Sequence, residues 1–160
     1  MDCSVFLKDD RFFIDKFNYN RIFADLPVKK YEIASIRLGD ILMHIEGKNY
    51  HLQDTAAYQY LSNTEEATTQ YDAYCDKYGK KNKNRSKKSY DDLIEQFEDY
   101  DIKKGAIFVN QYNMLLDGQH RSCLMLKKYG PDHVVEVVRV YIAESVLQKV
   151  KRLIKGRFHA

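Results

Sequence analysis

The residues best suited to chemistry are five consecutive ones that combine an acid, an imidazole and a guanidinium: Asp117-Gly118-Gln119-His120-Arg121. An apolar run, 114–116, precedes them and a helical pattern, 122–129, follows, which predicts the order strand, tight turn, helix. Gly118 permits a sharp turn and a close approach of the backbone to a ligand. The start of the helix and the donors of Arg121 favour an anion, most naturally a phosphate. The same pattern also fits an ordinary strand–helix turn capped by Asp117.

Other motifs for phosphate, cofactor or acyl chemistry are missing from the sequence. It contains no Gly-x-x-x-x-Gly-Lys-Ser/Thr loop, no Gly-x-Gly-x-x-Gly and no Gly-x-Ser-x-Gly elbow. The five histidines make no His-x-x-x-His spacing, which argues against a structural zinc site.

The composition is that of a globular protein with a well-filled core. A length of 160 residues predicts one domain, and 13 tyrosines and 8 phenylalanines suit a core with tyrosines at its rim. The net charge of +3 does not by itself indicate a nucleic-acid partner. Three scattered cysteines, without a Cys-x-x-Cys pair, indicate a reducing cytoplasm. No apolar run resembles a signal peptide or a membrane span.

Strands and helices alternate without a regular βαβ rhythm, so the predicted class is α+β. Residues 1–26 fit either a short helix or an extended lead-in, and 28–46 read as strands with turns at 39–40 and 46–47. Asp54 is the expected cap of a helix over 55–61, and 62–65 resembles a capping box for a second helix to residue 78, stopped by Gly79. One side of that second helix is predicted to carry Tyr71, Tyr74, Cys75 and Tyr78, either as core and rim residues or as the lining of a sugar pocket.

A strongly basic loop, 80–88, separates these helices from the next one, which Ser89 is expected to cap. That helix should present an apolar stripe of Leu93, Ile94, Phe97 and Tyr100. Two short strands are then predicted between 105 and 116, the helix after the five-residue motif ends at 129–130, and 134–142 is the strongest strand. An amphipathic helix with a basic face is predicted over about 144–157.

The motif and this order of elements resemble the ParB/sulfiredoxin-like superfamily and its Asp-Gly-x-His-Arg signature. The likeness covers about 27–142 and includes the helix start at 89–94, the turn at 101–105 and the strands at 107–109 and 115–118. It implies a single domain, 1–160, with a core of about 27–142, a helical insert of about 54–100 and an appended C-terminal helix. The chain looks most similar to small ParB-like proteins linked to bacterial surface-polysaccharide genes, which carry a comparable tyrosine-rich insert.

Two activities of the superfamily fit this chain poorly. Sulfiredoxins carry their reactive cysteine at the position held here by Gln119, and Cys123, one helical turn later, reads as a small apolar packing residue. Partitioning ParB proteins have DNA-binding and dimerisation parts for which about 40 residues after the signature leave too little room. Sulfinic acid reduction and chromosome partitioning are therefore set aside.

Free-serine kinases, a third branch, keep the acid that corresponds to Asp117 and use the fold for phosphoryl transfer. The resemblance implies Asp117, His120 and a glutamate after the first strands as catalytic residues, with Glu46 the nearest match and Glu32 its rival. It implies Asp117 as a ligand of Mg²⁺ and a nucleotide-phosphate set of Gly118, Gln119, His120, Arg121 and Ser122. Structural roles remain open for each: an exposed turn for Glu46, a cap for Asp117 and a turn-holding hydrogen bond for His120.

The predicted function is that of an ATP- or ADP-dependent, Mg²⁺-assisted kinase of a small hydroxyl-bearing molecule in surface-polysaccharide metabolism. The alternatives are a non-catalytic nucleotide or sugar-phosphate binding module and, more distantly, a DNA-binding or nuclease role. The basic loop 80–88 fits a polyanion site or a solvated insertion, and no aromatic residue in it offers a stacking surface for bases. The basic face of the C-terminal helix fits either an anionic membrane surface or packing on its own domain. The acceptor, the nucleotide base and the oligomeric state are left open.

Overall fold

The computed structural model describes residues 3–78 and 86–145, which form a mixed α+β structure with a small mixed sheet. A 3₁₀ turn over Cys3–Lys8 opens the chain. The helices and strands then follow in this order: α1 (Lys16–Ile22), β1 (Val28–Arg37), β2 (Leu42–Ile45), β3 (Lys48–His51), α2 (Ala56–Tyr60), α3 (Glu65–Tyr78), α4 (Lys87–Gln96), β4 (Phe108–Asn110), β5 (Leu115–Asp117), α5 (Gln119–Tyr129) and β6 (Val134–Ile142).

Strand β6, the segment richest in β-branched residues, lies inside the four-stranded sheet, whose order is β1-β6-β4-β5. It pairs antiparallel with β1 from Val28↔Ile142 to Arg37↔Val134, and parallel with β4. Strands β4 and β5 form an antiparallel hairpin, and β2 and β3 form a separate one. An isolated bridge between Leu42 and Met114 joins the two hairpins. The predicted strands at 28–46, between 105 and 116 and at 134–142 are thereby confirmed.

The sheet is covered on both faces, and residues of β6 pack into the cores on both of them. Val135 and Val137 pack into one core, while Val138 and Val140 pack into the other. The first core contains the helices of the insert and α5. The second is built by the N-terminal residues and is rich in aromatic rings: Phe6, Phe12, Phe23 and Phe108.

The N-terminal residues, which the sequence left as either a helix or an extended lead-in, contain both a 3₁₀ turn and α1. Asp15 caps α1, because its side chain accepts a hydrogen bond from the N–H of Asn18. Phe6 and Phe23 are fully buried, and their rings meet edge to face with centroids 5.0 Å apart. This packing holds α1 on the sheet, where it contacts β5.

Three predicted helix caps are wrong by one to three residues. Thr55, not Asp54, caps α2, and the Thr64 hydroxyl accepts from the N–H of Ala67, so the box predicted at 62–65 does not form. Ser86, not Ser89, caps α4. In each case a neighbouring polar residue has the extended backbone or the reach that a cap needs, and the choice between neighbours is made by tertiary packing.

The predicted stripe of the fourth helix is also only partly right. Helix α4 ends at Gln96, so Tyr100 lies beyond it, and Ile94 is exposed while Tyr90 is fully buried. The turns at 39–40 and 46–47 and the end of α5 at Gly130 lie where the sequence placed them.

Several expectations lie outside the described residues: Gly79 as a helix stop, most of the basic loop 80–88, and nearly all of the helix predicted over 144–157. Within 3–78 and 86–145, each helix is too short or too polar to cross a membrane.

Candidate functional site

A cavity of about 290 Å³ lies where β5 meets the first turn of α5. Helix α1 forms one wall of it and α4 contributes to another. The predicted motif lines the cavity together with residues of α1 and its cap, β2, α4 and β5. The complete lining is Asp15, Asn18, Arg21, Met43, Ser89, Leu93, Leu115, Leu116, Asp117, Gly118, Gln119, His120 and Arg121.

Gly118 makes the turn possible. Its φ of 95° lies in the left-handed region, and a Cβ there would meet Cα and Cγ1 of Ile107 at 3.0 Å. Helix α5 begins at Gln119 with Gly118 as its cap, so the predicted turn is shorter than expected and three motif residues form the first helical turn. Asp117 is the last residue of β5 and does not cap the helix.

The carboxylate of Asp117 is largely buried, with its side chain 19% exposed. Burial raises the pKa of Asp117, although the positive charges of Arg121 and Arg21 and a hydrogen bond from the N–H of Gly118 act to lower it. Arg21 Nη2 lies 3.5 Å from Asp117 Oδ1. A carboxylate with a raised pKa accepts a proton more readily than one in water, which is what a general base requires.

The sequence alone did not predict a role for Arg21 and its neighbours on α1. Arg21 Nη2 also donates to Asn18 Oδ1 at 3.1 Å, and Asn18 Nδ2 donates to Asp15 Oδ2. The signal was the spacing Asp15-x-x-Asn18-x-x-Arg21, which places a cap and two polar groups on one face of a helix. This spacing did not predict a site, because nothing in the sequence shows that this face of α1 contacts Asp117.

Arg121 reaches the cavity from α5. Its Nη1 donates to the carbonyl of Ala106 at 3.4 Å, a long contact that leaves most of the donor fork for other partners. Its positive charge acts on Asp117 to lower the pKa of that carboxyl. Two guanidinium groups, from α1 and α5, therefore lie around one carboxylate.

His120 and Gln119 are held by the tyrosines of the insert. Tyr71 Oη lies 2.8 Å from His120 Nε2, and the ring of Tyr90 stacks on the imidazole at 4.0 Å. Burial raises the pKa of Tyr71 strongly, so its hydroxyl stays protonated beside the imidazole. Tyr74 donates to Gln119 Oε1 at 3.2 Å. The tyrosine side predicted for 71–78 is thus core at Tyr71 and supports the motif at Tyr74.

The remaining predicted site residues do not line the cavity. Glu46 lies on the exposed β2–β3 turn, where its ion pair with Lys77 and a hydrogen bond from Tyr78 lower the pKa of its carboxyl. Glu32 lies on β1 and accepts from Tyr141 at 2.6 Å. Ser122 is fully buried and donates to the carbonyl of Gly118 at 2.8 Å, so its hydroxyl supports the helix instead of facing the cavity.

Cys123 is a packing residue, as the sequence indicated. It is fully buried, and burial raises the pKa of its thiol to about 12. A thiol in this state is a poor nucleophile, which agrees with setting sulfinic acid chemistry aside.

The carboxylates in the cavity suit a Mg²⁺ ion that is also bound by substrate phosphates better than an ion held by the protein alone. Asp15 and Asp117 supply carboxylates, whereas no three His, Cys, Asp or Glu side chains of residues 3–78 and 86–145 are grouped to hold a metal. Mg²⁺ in phosphoryl-transfer sites is commonly bound by one or two carboxylates plus substrate phosphates, so the set fits a nucleotide-borne ion better than a resident one.

No family model, curated protein or solved structure matches this chain. The likeness of its motif to the ParB/sulfiredoxin-like signature accordingly remains a prediction. The proposed function therefore rests on the residues that line the cavity.

Proposed function

We propose that this protein is a nucleotide-binding phosphotransferase with a ParB/sulfiredoxin-like core, most simply an ATP- or ADP-dependent kinase of a small hydroxyl-bearing molecule. One observation carries the proposal. A carboxylate and two guanidinium groups from separate elements, Asp117, Arg21 and Arg121, converge on one cavity at the start of a helix. A role in surface-polysaccharide metabolism rests on the sequence resemblance alone.

The chemistry follows from what phosphoryl transfer requires. Charge on the phosphate oxygens must be neutralised, and Arg21 and Arg121 are the donors for that task, beside the positive end of helix α5. The acceptor hydroxyl must be oriented and must lose its proton, and Asp117 is the nearby base. Asp117 and Asp15 would be the protein ligands of a Mg²⁺ ion bound with the nucleotide, and the ion would supply further positive charge to the phosphates.

The size of the cavity favours a small acceptor. Its volume of about 290 Å³ lies just below the range for small-molecule sites, which is about 300–1,000 Å³. Met43, Leu93 and Leu115 add an apolar part to an otherwise polar lining. Duplex nucleic acid does not fit such a space, which leaves the DNA-binding alternative without support from the cavity.

Thermal unfolding with a panel of ligands tests the binding half of the proposal. ATP, ADP, CTP, GTP and nucleotide sugars, each with and without Mg²⁺, are compared on the wild type and on Arg121→Ala. A ligand at about 100 times its Kd stabilises the fold by about 2.7 kcal/mol, a shift that is easily measured. The expected result is a shift with one nucleotide that is clearly smaller in the variant, and no shift with any ligand would remove the proposal.

Turnover tests the catalytic half. Asp117→Asn is expected to retain the fold and nucleotide binding but to lose phosphoryl transfer to small hydroxyl acceptors. Full activity in that variant would eliminate Asp117 as the base.

A non-catalytic nucleotide or sugar-phosphate sensor is the second candidate, and the pairing of Asp117 with Arg21 favours it. A carboxylate engaged by a guanidinium is less available to a substrate hydroxyl. This alternative predicts binding that depends on Arg121 and Arg21 without turnover of any phosphoryl donor.

A further inference from the structure

We propose that Gly105 is a positioning residue, which sets where the Arg121 guanidinium lies and thereby the affinity of the cavity for phosphoryl anions. Gly105 lies in the turn before β4, 16 positions from Arg121 in the sequence, and is not part of the five-residue motif. The inference rests on the proposed function for its ligand, and on the geometry of the two residues for its physical basis.

The guanidinium occupies the space in which another residue would carry its side chain. A Cβ added to Gly105 would lie 2.7 Å from Cζ, 2.8 Å from Nη2 and 2.9 Å from Nε of Arg121. Three nearly equal distances to one planar group place the added carbon over the face of the guanidinium. The bare α-carbon of Gly105 is therefore the surface against which that plane lies.

The backbone at Gly105 does not explain why glycine is present. The described glycines with positive φ are Gly47, Gly118 and Gly130, and Gly105 is not among them. Its N–H donates to the carbonyl of Asp101 at 3.1 Å, an interaction that alanine would retain. Closeness to Arg121 is the remaining reason for glycine at this position.

The guanidinium is the far end of a flexible side chain, so it can avoid such a methyl group only by leaving its present position. In that position its Nη1 donates to the carbonyl of Ala106, the residue next to Gly105, and its charge acts on Asp117. A methyl group at position 105 would push the guanidinium off this surface by several tenths of an ångström. Charge-assisted hydrogen bonds depend steeply on donor geometry, so binding of an anion should weaken while the fold persists.

A double-mutant cycle on the whole chain tests the proposal, with Mg²⁺·ATP as the titrated ligand. The variants are Gly105→Ala, Arg121→Ala and the pair together. Gly105→Ala is expected to raise the Kd at least about fivefold, a change that corresponds to about 1 kcal/mol. In the Arg121→Ala background the same change should have no further effect, because the group that it displaces is missing. An equal effect in both backgrounds, or none in either, would overturn the proposal.

A second measurement does not depend on nucleotide binding. The side-chain ¹⁵Nε–Hε signal of Arg121 reports the surroundings of its guanidinium, and Gly105→Ala should move it in the absence of ligand. If the wild type does not bind Mg²⁺·ATP, the proposed function fails and this signal alone decides the contact. An unmoved signal would overturn the inference whatever the function is.

Gly39→Ala is the matched control. This change also adds a methyl group to a crowded glycine with ordinary φ, but the new carbon would meet Pro131, at 3.0 Å from its Cβ, instead of the cavity arginine. It should leave both the Kd and the Arg121 signal unchanged. If Gly105→Ala fails to fold, the double variant with Arg121→Ala should fold because the collision is removed, and failure of both would refute the proposed contact.

Discussion

The hydroxyl of Tyr71 lies 2.8 Å from Nε2 of His120, although the two residues are 49 positions apart. The contact joins the helical insert to the first turn of α5. Tyr71 is fully buried, and its protonated hydroxyl either donates to Nε2 or accepts from an Nε2–H, according to the tautomer of His120. The insert therefore holds the motif histidine through a buried hydrogen bond.

Tyr71→Phe should remove that hydrogen bond. The expected loss is about 1–2 kcal/mol in the free energy of unfolding, because the bond is buried. Long-range ¹H–¹⁵N spectra should show altered shifts of both His120 nitrogens. Tyr74→Phe, which removes the hydrogen bond to Gln119 instead, serves as the control and should leave those nitrogens as they are. Unchanged His120 shifts in Tyr71→Phe would contradict the hydrogen bond between these two residues.

Asp117→Asn should change how stability depends on pH. Because burial raises the folded-state pKa of Asp117, its contribution to stability is present below the unfolded carboxyl pKa of 3.8 and is lost as the pH rises through the folded-state value. The wild type should therefore become less stable relative to the variant as the pH rises above about 4. Urea unfolding across that range measures the difference.

Asp9→Asn provides a control of opposite sign. The pKa of Asp9 lies well below its usual range because of hydrogen bonds from Arg11, so its contribution to stability is present at neutral pH and lost as the pH falls. This variant should be less stable than the wild type at pH 7. If both variants shifted in the same direction as the pH rises, the assignment of the two carboxyl environments would be wrong.

Arg21→Ala tests the part of the site that lies on α1. Removing one of two guanidinium groups around a phosphate should raise the Kd for Mg²⁺·ATP about tenfold, or about 1.4 kcal/mol. Titration calorimetry measures this directly. Arg37→Ala removes an exposed arginine that pairs with Asp40 away from the cavity, and should have no effect on the Kd. Equal affinities of Arg21→Ala and the wild type would exclude α1 from the binding site.

Cys123 should resist thiol reagents in the folded protein. It is fully buried with a pKa of about 12, so neither access nor a thiolate is available at pH 7.5. Treatment with a disulfide reagent, followed by peptide mapping, should leave Cys123 unmodified until denaturant is added. Rapid modification without denaturant would show that the core around α5 opens.

Thr55→Ala should cost more stability than Asp54→Ala. The Thr55 hydroxyl is buried, donates to the carbonyl of Leu52 at 2.6 Å and accepts from the N–H of Tyr58. Its loss should lower the free energy of unfolding by about 1–2 kcal/mol, the range for a lost helix cap. Asp54 does not cap α2, so its replacement should have a smaller effect in the same urea titrations, and the reverse order would restore it as the cap.

Local patterns in the sequence were sufficient for much of the fold. The β-branched run at 134–142 predicted β6, and Gly130 followed by Pro131 predicted the end of α5, because strand propensity and helix termination depend on neighbouring residues. The left-handed turn at Gly118 between a strand and a helix was equally local. Caps were less certain, since adjacent Asp, Ser and Thr residues compete for one position and packing selects among them.

The candidate site divides in the same way. The amino-acid sequence predicted that an acid, an imidazole and a guanidinium would cluster at the start of α5, because the chain holds consecutive residues of a turn together. The tertiary structure alone showed the ion pair between Arg21 of α1 and Asp117. It also showed that the Arg121 guanidinium lies against Gly105 and that Tyr71 is hydrogen-bonded to His120. It also placed Glu46 on an exposed turn away from the cavity. These relationships join residues distant in the chain, and their positions depend on how helices pack on both faces of the sheet, which no local pattern encodes.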